Sequence, residues 1–180
     1  MNPDEILHFW FKELTRKQWF EKDTALDRHI GERFADYHAA AGKGELFGWR
    51  KTPKGRLAEI IILDQFSRNI YRDQPGSFAS DPMALVLAQE AVSIKADQAL
   101  GDATERLFLY MPYMHSESEL VHEVALTLFD QPGLEENLDF EKRHKQIIDR
   151  FGRYPHRNAI LGRTSSDDEL AFLKQPGSSF

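Results

Sequence analysis

The run from Gly55 to Tyr71, G-R-L-A-E-I-I-I-L-D-Q-F-S-R-N-I-Y, constrains the fold more than any other part of the chain. Leu57, Ile60 and Ile61 recur at helical spacing, and Ile62, Phe66 and Ile70 make the other side apolar too. A helix that is apolar on most sides must be enclosed by other elements. No stretch of strand length alternates apolar and polar residues, so those elements must also be helices.

Their boundaries follow from caps and breakers. Asn2 and Pro3 open a first helix with the stripe Ile6, Leu7, Trp10, Phe11 and Leu14. Asp23 caps a second, ended by Gly42, and Thr52-Pro53 opens the enclosed third. Asp81-Pro82 opens a fourth that ends near Ala96, and a short fifth, from about Thr104 to Tyr110, stops before Pro112. Ser116 and Glu119 form a capping box for a sixth, whose stripe is Leu120, Val121, Val124, Ala125 and Leu128. A seventh runs from about Leu134 to Phe151 with Gly152 as its stop, and Ser166 with Glu169 caps a last short helix. The expectation is an all-α, antiparallel helix-hairpin bundle of about seven or eight helices. At 180 residues and 20.8 kDa it forms one domain over 1–180, with a short flexible tail from about 175.

Charge is placed unevenly. Residues 115–141 hold eight acids and no lysine or arginine, whereas residues 142–163 hold seven basic residues against Asp149. With a formal charge of −6 overall, the rest of the chain is too acidic to build a nucleic-acid groove. The start, M-N-P-D-E-I-L-H-F-W, has no basic lead, and no run approaches a membrane span, so a cytoplasmic protein without a membrane partner is expected. The absence of cysteine excludes disulfides, thiolate zinc sites and a cysteine nucleophile.

Sequential helices with short connections pack antiparallel, so their ends alternate between two poles. One pole collects residues 15–23, 64–81, 110–117 and 150–163; the other collects Gly, Pro, Lys and Asp linkers. The first pole therefore holds D-Q-F-S-R-N, M-P-Y-M-H-S-E and the arginine-rich F-G-R-Y-P-H-R-N-A-I-L-G-R. The tight Q-P-G turn folds the sixth helix onto the seventh and sets His115, Ser116 and Glu117 beside Arg153 to Asn158. Glu117, three residues before Leu120, is expected to point inward and to pair with Arg153, Arg157 or Arg68. Asp64 and Arg68, four apart on the enclosed helix, are within pairing reach.

Arginine's planar fork suits a carboxylate or phosphate, so Arg68, Arg153 and Arg157 are candidate anion ligands, with Asn158 to orient the anion and Asp64 to hold an arginine. His115 and His156 are the candidate acid/base groups, since imidazole titrates near neutrality, and Glu117 could orient one of them. The spacing E-x-x-H occurs at Glu5–His8, Glu119–His122 and Glu141–His144, but it arises readily by chance and Glu119 already has a capping role. Neither a metal nor a cofactor is expected: no phosphate-binding glycine loop, zinc-protease helix or nucleophile elbow occurs.

The runs L-D-Q-F-S-R-N-I-Y-R, F-A-S-D-P-M-A, F-L-Y-M-P-Y-M-H-S-E and F-G-R-Y-P-H-R-N-A-I-L-G-R, in that order and with Trp19-Phe20, resemble the bacterial family called domain of unknown function 924. The resemblance implies a tetratricopeptide-like helical fold and carries no activity. The family often has proline where Ser67 stands and generally glutamine where His122 stands, which weakens the E-L-V-H metal pair further.

Three functions stay open. The first is binding of a small anionic molecule or an acidic peptide end. The second is a hydrolase of an anionic small molecule using His115 or His156 as base. The third is a scaffold whose polar groups only fasten loops.

Overall fold

The enclosed segment is the axis of the molecule. In the computed structural model, which describes residues 1–179, it forms α4 (Pro53–Ile61), a π-helical turn (Ile62–Phe66) and α5 (Ser67–Ile70) as one rod. Every residue from Leu57 to Ser67 is buried. The shell is α1 (Pro3–His8, continued by a π-helical turn over Phe9–Glu13), α3 (Thr24–Gly42), α7 (Asp81–Ser93) and α8 (Ala103–Met114). Beyond α8 lies the hairpin of α9 (Glu119–Phe129) and α10 (Glu135–Phe151), and α11 (Asp167–Phe172) follows. Two short segments, α2 (Arg16–Phe20) and α6 (Gly76–Ala79), sit in connections that the apolar pattern does not mark. The described residues form no strand, and none of their helices is long and apolar enough to cross a membrane.

Aromatic packing fixes the rod to its shell. Trp10 meets Phe66 at 5.7 Å between ring centroids and Phe108 at 5.3 Å, and Phe34 meets Phe66 at 5.1 Å. Side-chain caps close the helix starts at Asn2, Asp23, Thr52, Asp102 and Ser166, each contributing about 1 kcal/mol. Gly152, at φ 67°, ends α10 in the left-handed conformation that glycine adopts freely. Gly55 is required for a different reason: a Cβ there would sit 2.0 Å from the Trp49 carbonyl oxygen.

Two helix boundaries and one helix face differ from the sequence expectation. α8 runs through Pro112 to Met114 instead of stopping before it, because the whole stretch Leu107–Met114 is buried and packing outweighs one lost backbone bond. α9 is opened by Ser118, not by Ser116 with Glu119; Ser118 makes no side-chain cap, and the Ser116 carbonyl is taken by His122. The α9 stripe is rotated as well: Leu120 and Val124 are 76% and 44% exposed, while His122, Ala125 and Phe129 face inward. An apolar count overlooks a buried histidine whose two nitrogens are satisfied. At the C-terminus Ser178 tucks under, its hydroxyl donating to the Leu173 carbonyl at 3.1 Å; the end of the expected flexible tail, residue 180, lies outside the described residues.

Candidate functional site

The π-helical turn sets the centre of the polar pole. A π-turn interrupts the regular backbone ladder, and here the Ser67 hydroxyl donates to the Leu63 carbonyl at 2.6 Å while Arg68 Nη1 donates to the Asp64 carbonyl at 2.8 Å. Asp64 is fully buried. Its Oδ1 accepts from His115 Nδ1 at 2.7 Å and lies 3.1 Å from Arg68 Nη1, and its Oδ2 accepts from Gln65 at 2.5 Å. Arg68 also forks onto Asp81, with bonds of 2.8 and 3.0 Å. Arg157 shares Asp81 at 3.4 Å and donates to the His115 carbonyl at 2.9 Å. Thus the rod, the start of α7, the end of α8 and the arginine-rich loop converge.

Ionisation follows from this geometry. Burial pushes the Asp64 carboxyl up, but the charges of His115 and Arg68 and the bonds from His115 and Gln65 win, holding it at about 2. His115 is pushed down by burial and by Arg68, against the pull of Asp64 and Asp81. At neutral pH the neutral imidazole therefore gives Nδ1–H to Asp64. Its Nε2 receives no hydrogen bond from the described residues, and the side chain is 14% exposed. Arg157 is the less satisfied arginine of this centre: burial and Arg68 push its pKa down, and its buried Nε has no partner among the described residues. Its guanidinium is held between aromatic faces, 4.6 Å from the ring centroids of both Phe78 and Tyr154.

Glu117 lies at the same pole but pairs differently from the expectation. Arg163, not Arg153, Arg157 or Arg68, takes both its oxygens at 2.6 and 2.8 Å, and the Tyr154 backbone N–H donates to it at 2.7 Å. Burial opposes ionisation of Glu117; the Arg163 bond and the Tyr154 N–H outweigh it and hold its pKa down. Arg153 turns away to Glu169, with bonds of 2.7 and 2.8 Å, and clamps α11. Asn158 is consumed within its own loop: Nδ2 donates to Ser165 at 3.0 Å and Oδ1 accepts from Arg163 at 2.9 Å. Arg153 and Asn158 therefore fasten the loop and do not line the centre. Glu117 orients Arg163 and the Tyr154 backbone.

His156 packs 5.6 Å from the Tyr154 ring, with its pKa pushed down to about 4 by burial and then by Arg157. The E-x-x-H pairs cross over: His122 bonds Glu141 at 2.5 Å, and His144 Nδ1 donates to the Phe140 carbonyl at 2.8 Å. No group of three His, Cys, Asp or Glu among the described residues is arranged to hold a metal ion. Tyr154 ties this layer to the centre, donating to the Met114 carbonyl at 2.6 Å.

Residues 6–177 match the family described as bacterial protein of unknown function, DUF924. The chain belongs to the DUF924 family. It is similar to a solved structure from Agrobacterium tumefaciens, the protein of unknown function ATU0120, at 38% identity over 96% of each chain with a TM-score of 0.90. No curated protein matches. In this DUF924 chain Asp81, Arg163 and Tyr154 are the site residues that sequence reasoning left without a role. Asp81 carries a helix-opening signal that hid its use as the acceptor shared by two arginines. Arg163 and Tyr154 stood inside the arginine stretch but outside the reach assumed for Glu117.

Proposed function

We propose that this DUF924 chain binds a small anion, a carboxylate or phosphate on a small molecule or at a peptide end, at the Asp64–Arg68–Asp81–His115–Arg157 centre. The observation that carries the reading is Arg157. Asp64 and Arg68 are matched to one another, and Arg68 takes Asp81 through two short bonds. Arg157 is left with one good acceptor, the His115 carbonyl, and a weak hold on Asp81. A buried guanidinium with unused donors favours an anion, because a charged hydrogen bond in such surroundings is worth more than one in water. His115 is the second contact: its Nε2 accepts from an acidic hydrogen on the ligand, or donates once the ring is protonated.

A second reading rests on the Asp64–His115 pair. A carboxylate fixing Nδ1–H sets the tautomer and aims Nε2, as acid/base catalysis requires. In that reading an anionic substrate held by Arg157 gives up or takes a proton at His115. Of the two candidate bases, His115 is the one this reading rests on, because Asp64 holds its Nδ1 at 2.7 Å.

Thermal shift tests the first reading. Wild-type protein is screened against phosphate, sulfate, citrate and carboxylate metabolites, and the best anion is repeated on Arg157→Lys. Binding at a hundredfold excess over Kd adds about 2.7 kcal/mol to stability. A stabilising anion whose effect weakens in the lysine variant supports the reading, because lysine keeps the charge and loses the fork. No stabilising anion, with a variant that only melts earlier, sinks it in favour of a scaffold.

A further inference from the structure

The polar groups at the opposite pole are not used by the anion centre. Arg106 lies in the first turn of α8 and His115 at its end, roughly 13 Å apart along the axis at about 1.5 Å per residue. An open cavity of about 330 Å³ sits there, lined by Asp97, Arg106, Tyr110, Thr127, Leu128 and Gln131 among others. That is the lower end of the size range of small-molecule sites.

Two of its charged groups are incompletely used, and not on each other. Asp97 is 5% exposed; Oδ2 accepts from the Tyr110 hydroxyl at 2.7 Å, and Oδ1 has no partner among the described residues. Arg106 gives Nε to Gln131 at 2.7 Å and Nη1 to the Leu100 carbonyl at 3.1 Å, leaving Nη2 without a bond from the described residues. Both acceptors bonded to Arg106 are neutral, so no carboxylate among the described residues pairs with it. A buried carboxylate with an unfilled oxygen normally has a cationic or hydrogen-bonding partner. Tyr110 fixes the Asp97 carboxylate and Gln131 fixes the Arg106 guanidinium, so both are held before a ligand arrives.

We infer that this cavity binds a small zwitterion, an α-amino acid in chemical class, with its ammonium on Asp97 and its carboxylate on Arg106. One acid and one arginine in the same wall match a ligand carrying both charges. Either charge alone would leave one wall group uncompensated. Leu128 offers apolar surface for a side chain, and Thr127 and Gln131 add polar wall.

Calorimetric titration of the full chain with each standard amino acid tests this, followed by half-ligands of the best binder. For L-leucine these would be isopentylamine, which lacks the carboxylate, and 4-methylpentanoate, which lacks the ammonium. The expected result is saturable binding of at least one amino acid and a loss of about tenfold or more for each half-ligand. Asp97→Asn, which preserves shape and the acceptor for Tyr110, is expected to lose about tenfold or more, as is Arg106→Gln. Two variants are used so that misfolding of one, judged by its melting curve, does not end the test. Arg157→Lys is expected to leave amino-acid binding unchanged, which separates this site from the anion centre. No heat with any amino acid overturns the inference. So does binding that survives both cavity substitutions, or an amine half-ligand that binds as tightly as its parent.

Discussion

Replacing Arg68 with alanine tests the charged core of the fold. Arg68 gives Asp64 its carbonyl bond and its ion pair, and gives Asp81 two bonds of 2.8 and 3.0 Å. Asp64 has no exposure at all, so its charge cannot be rescued by solvent. Removing one partner of a buried pair costs about 3–5 kcal/mol. His115 offsets part of that loss: Arg68 is one cause of its depressed pKa, so without Arg68 the ring protonates more readily and pairs with Asp64. The net loss should be roughly 3 kcal/mol near neutrality, or about 6–12 °C in Tm at about 2–4 °C per kcal/mol for a domain of this size. The sign of its pH dependence follows. A protonated His115 replaces the lost cation only below its folded pKa, so the deficit relative to wild type should grow as pH rises from about 6 to about 8. Thermal melting across that range, with Asp64→Asn and the double variant completing a cycle, measures the coupling. Unchanged melting, or a loss additive with Asp64→Asn, would refute the pairing.

Burial holds His144 at about 3 and His156 at about 4, below the roughly 6.5 of an unfolded histidine. The unfolded chain then binds more protons, so stability should fall as pH drops from about 6.5 to about 4, by up to about 1.4 kcal/mol per pH unit for each ring. Asp64 and Glu169, both held at about 2, add to the loss only near the acid end of that window and below it, as their unfolded carboxyls begin to protonate; a flat denaturation midpoint between about pH 6.5 and pH 5 would contradict the burial of the rings. Arg153→Ala should lower the melting temperature by releasing Glu169 and α11, while leaving the response to anions intact. A lost anion response in that variant would return Arg153 to the site.

The fold was legible because the Gly55–Tyr71 run forces a helical shell, and helix parity then gathers the right loops at one pole. Within that pole the Asp64–Arg68 pair was visible from its spacing of four. The partner of Glu117 was not. Choosing among Arg153, Arg157 and Arg163 depends on how the chain turns after Gly152, and no periodicity describes that irregular segment. The rotation of α9 was hidden for a related reason. His122 counts as polar in the sequence, yet Glu141 and the Ser116 carbonyl satisfy it in the interior, so the true buried face looked like the wet one. Asp81 was masked by carrying two signals, a helix start and an arginine acceptor, of which the first alone has a sequence signature.

The central claim is that His115, held by Asp64 beside an under-satisfied Arg157, turns an Nε2 that takes no bond from the described residues toward the acidic hydrogen of an anionic ligand. Long-range proton–nitrogen correlation NMR of the imidazole rings reads this atom directly, with assignment by His115→Gln. At neutral pH the His115 ring should show a protonated Nδ1 and an unprotonated Nε2. The best stabilising anion should then move the Nε2 resonance saturably, in wild type and far less in Arg157→Lys. A His115 ring protonated on Nε2, or one whose nitrogens do not respond to any anion that stabilises the protein, would contradict the account.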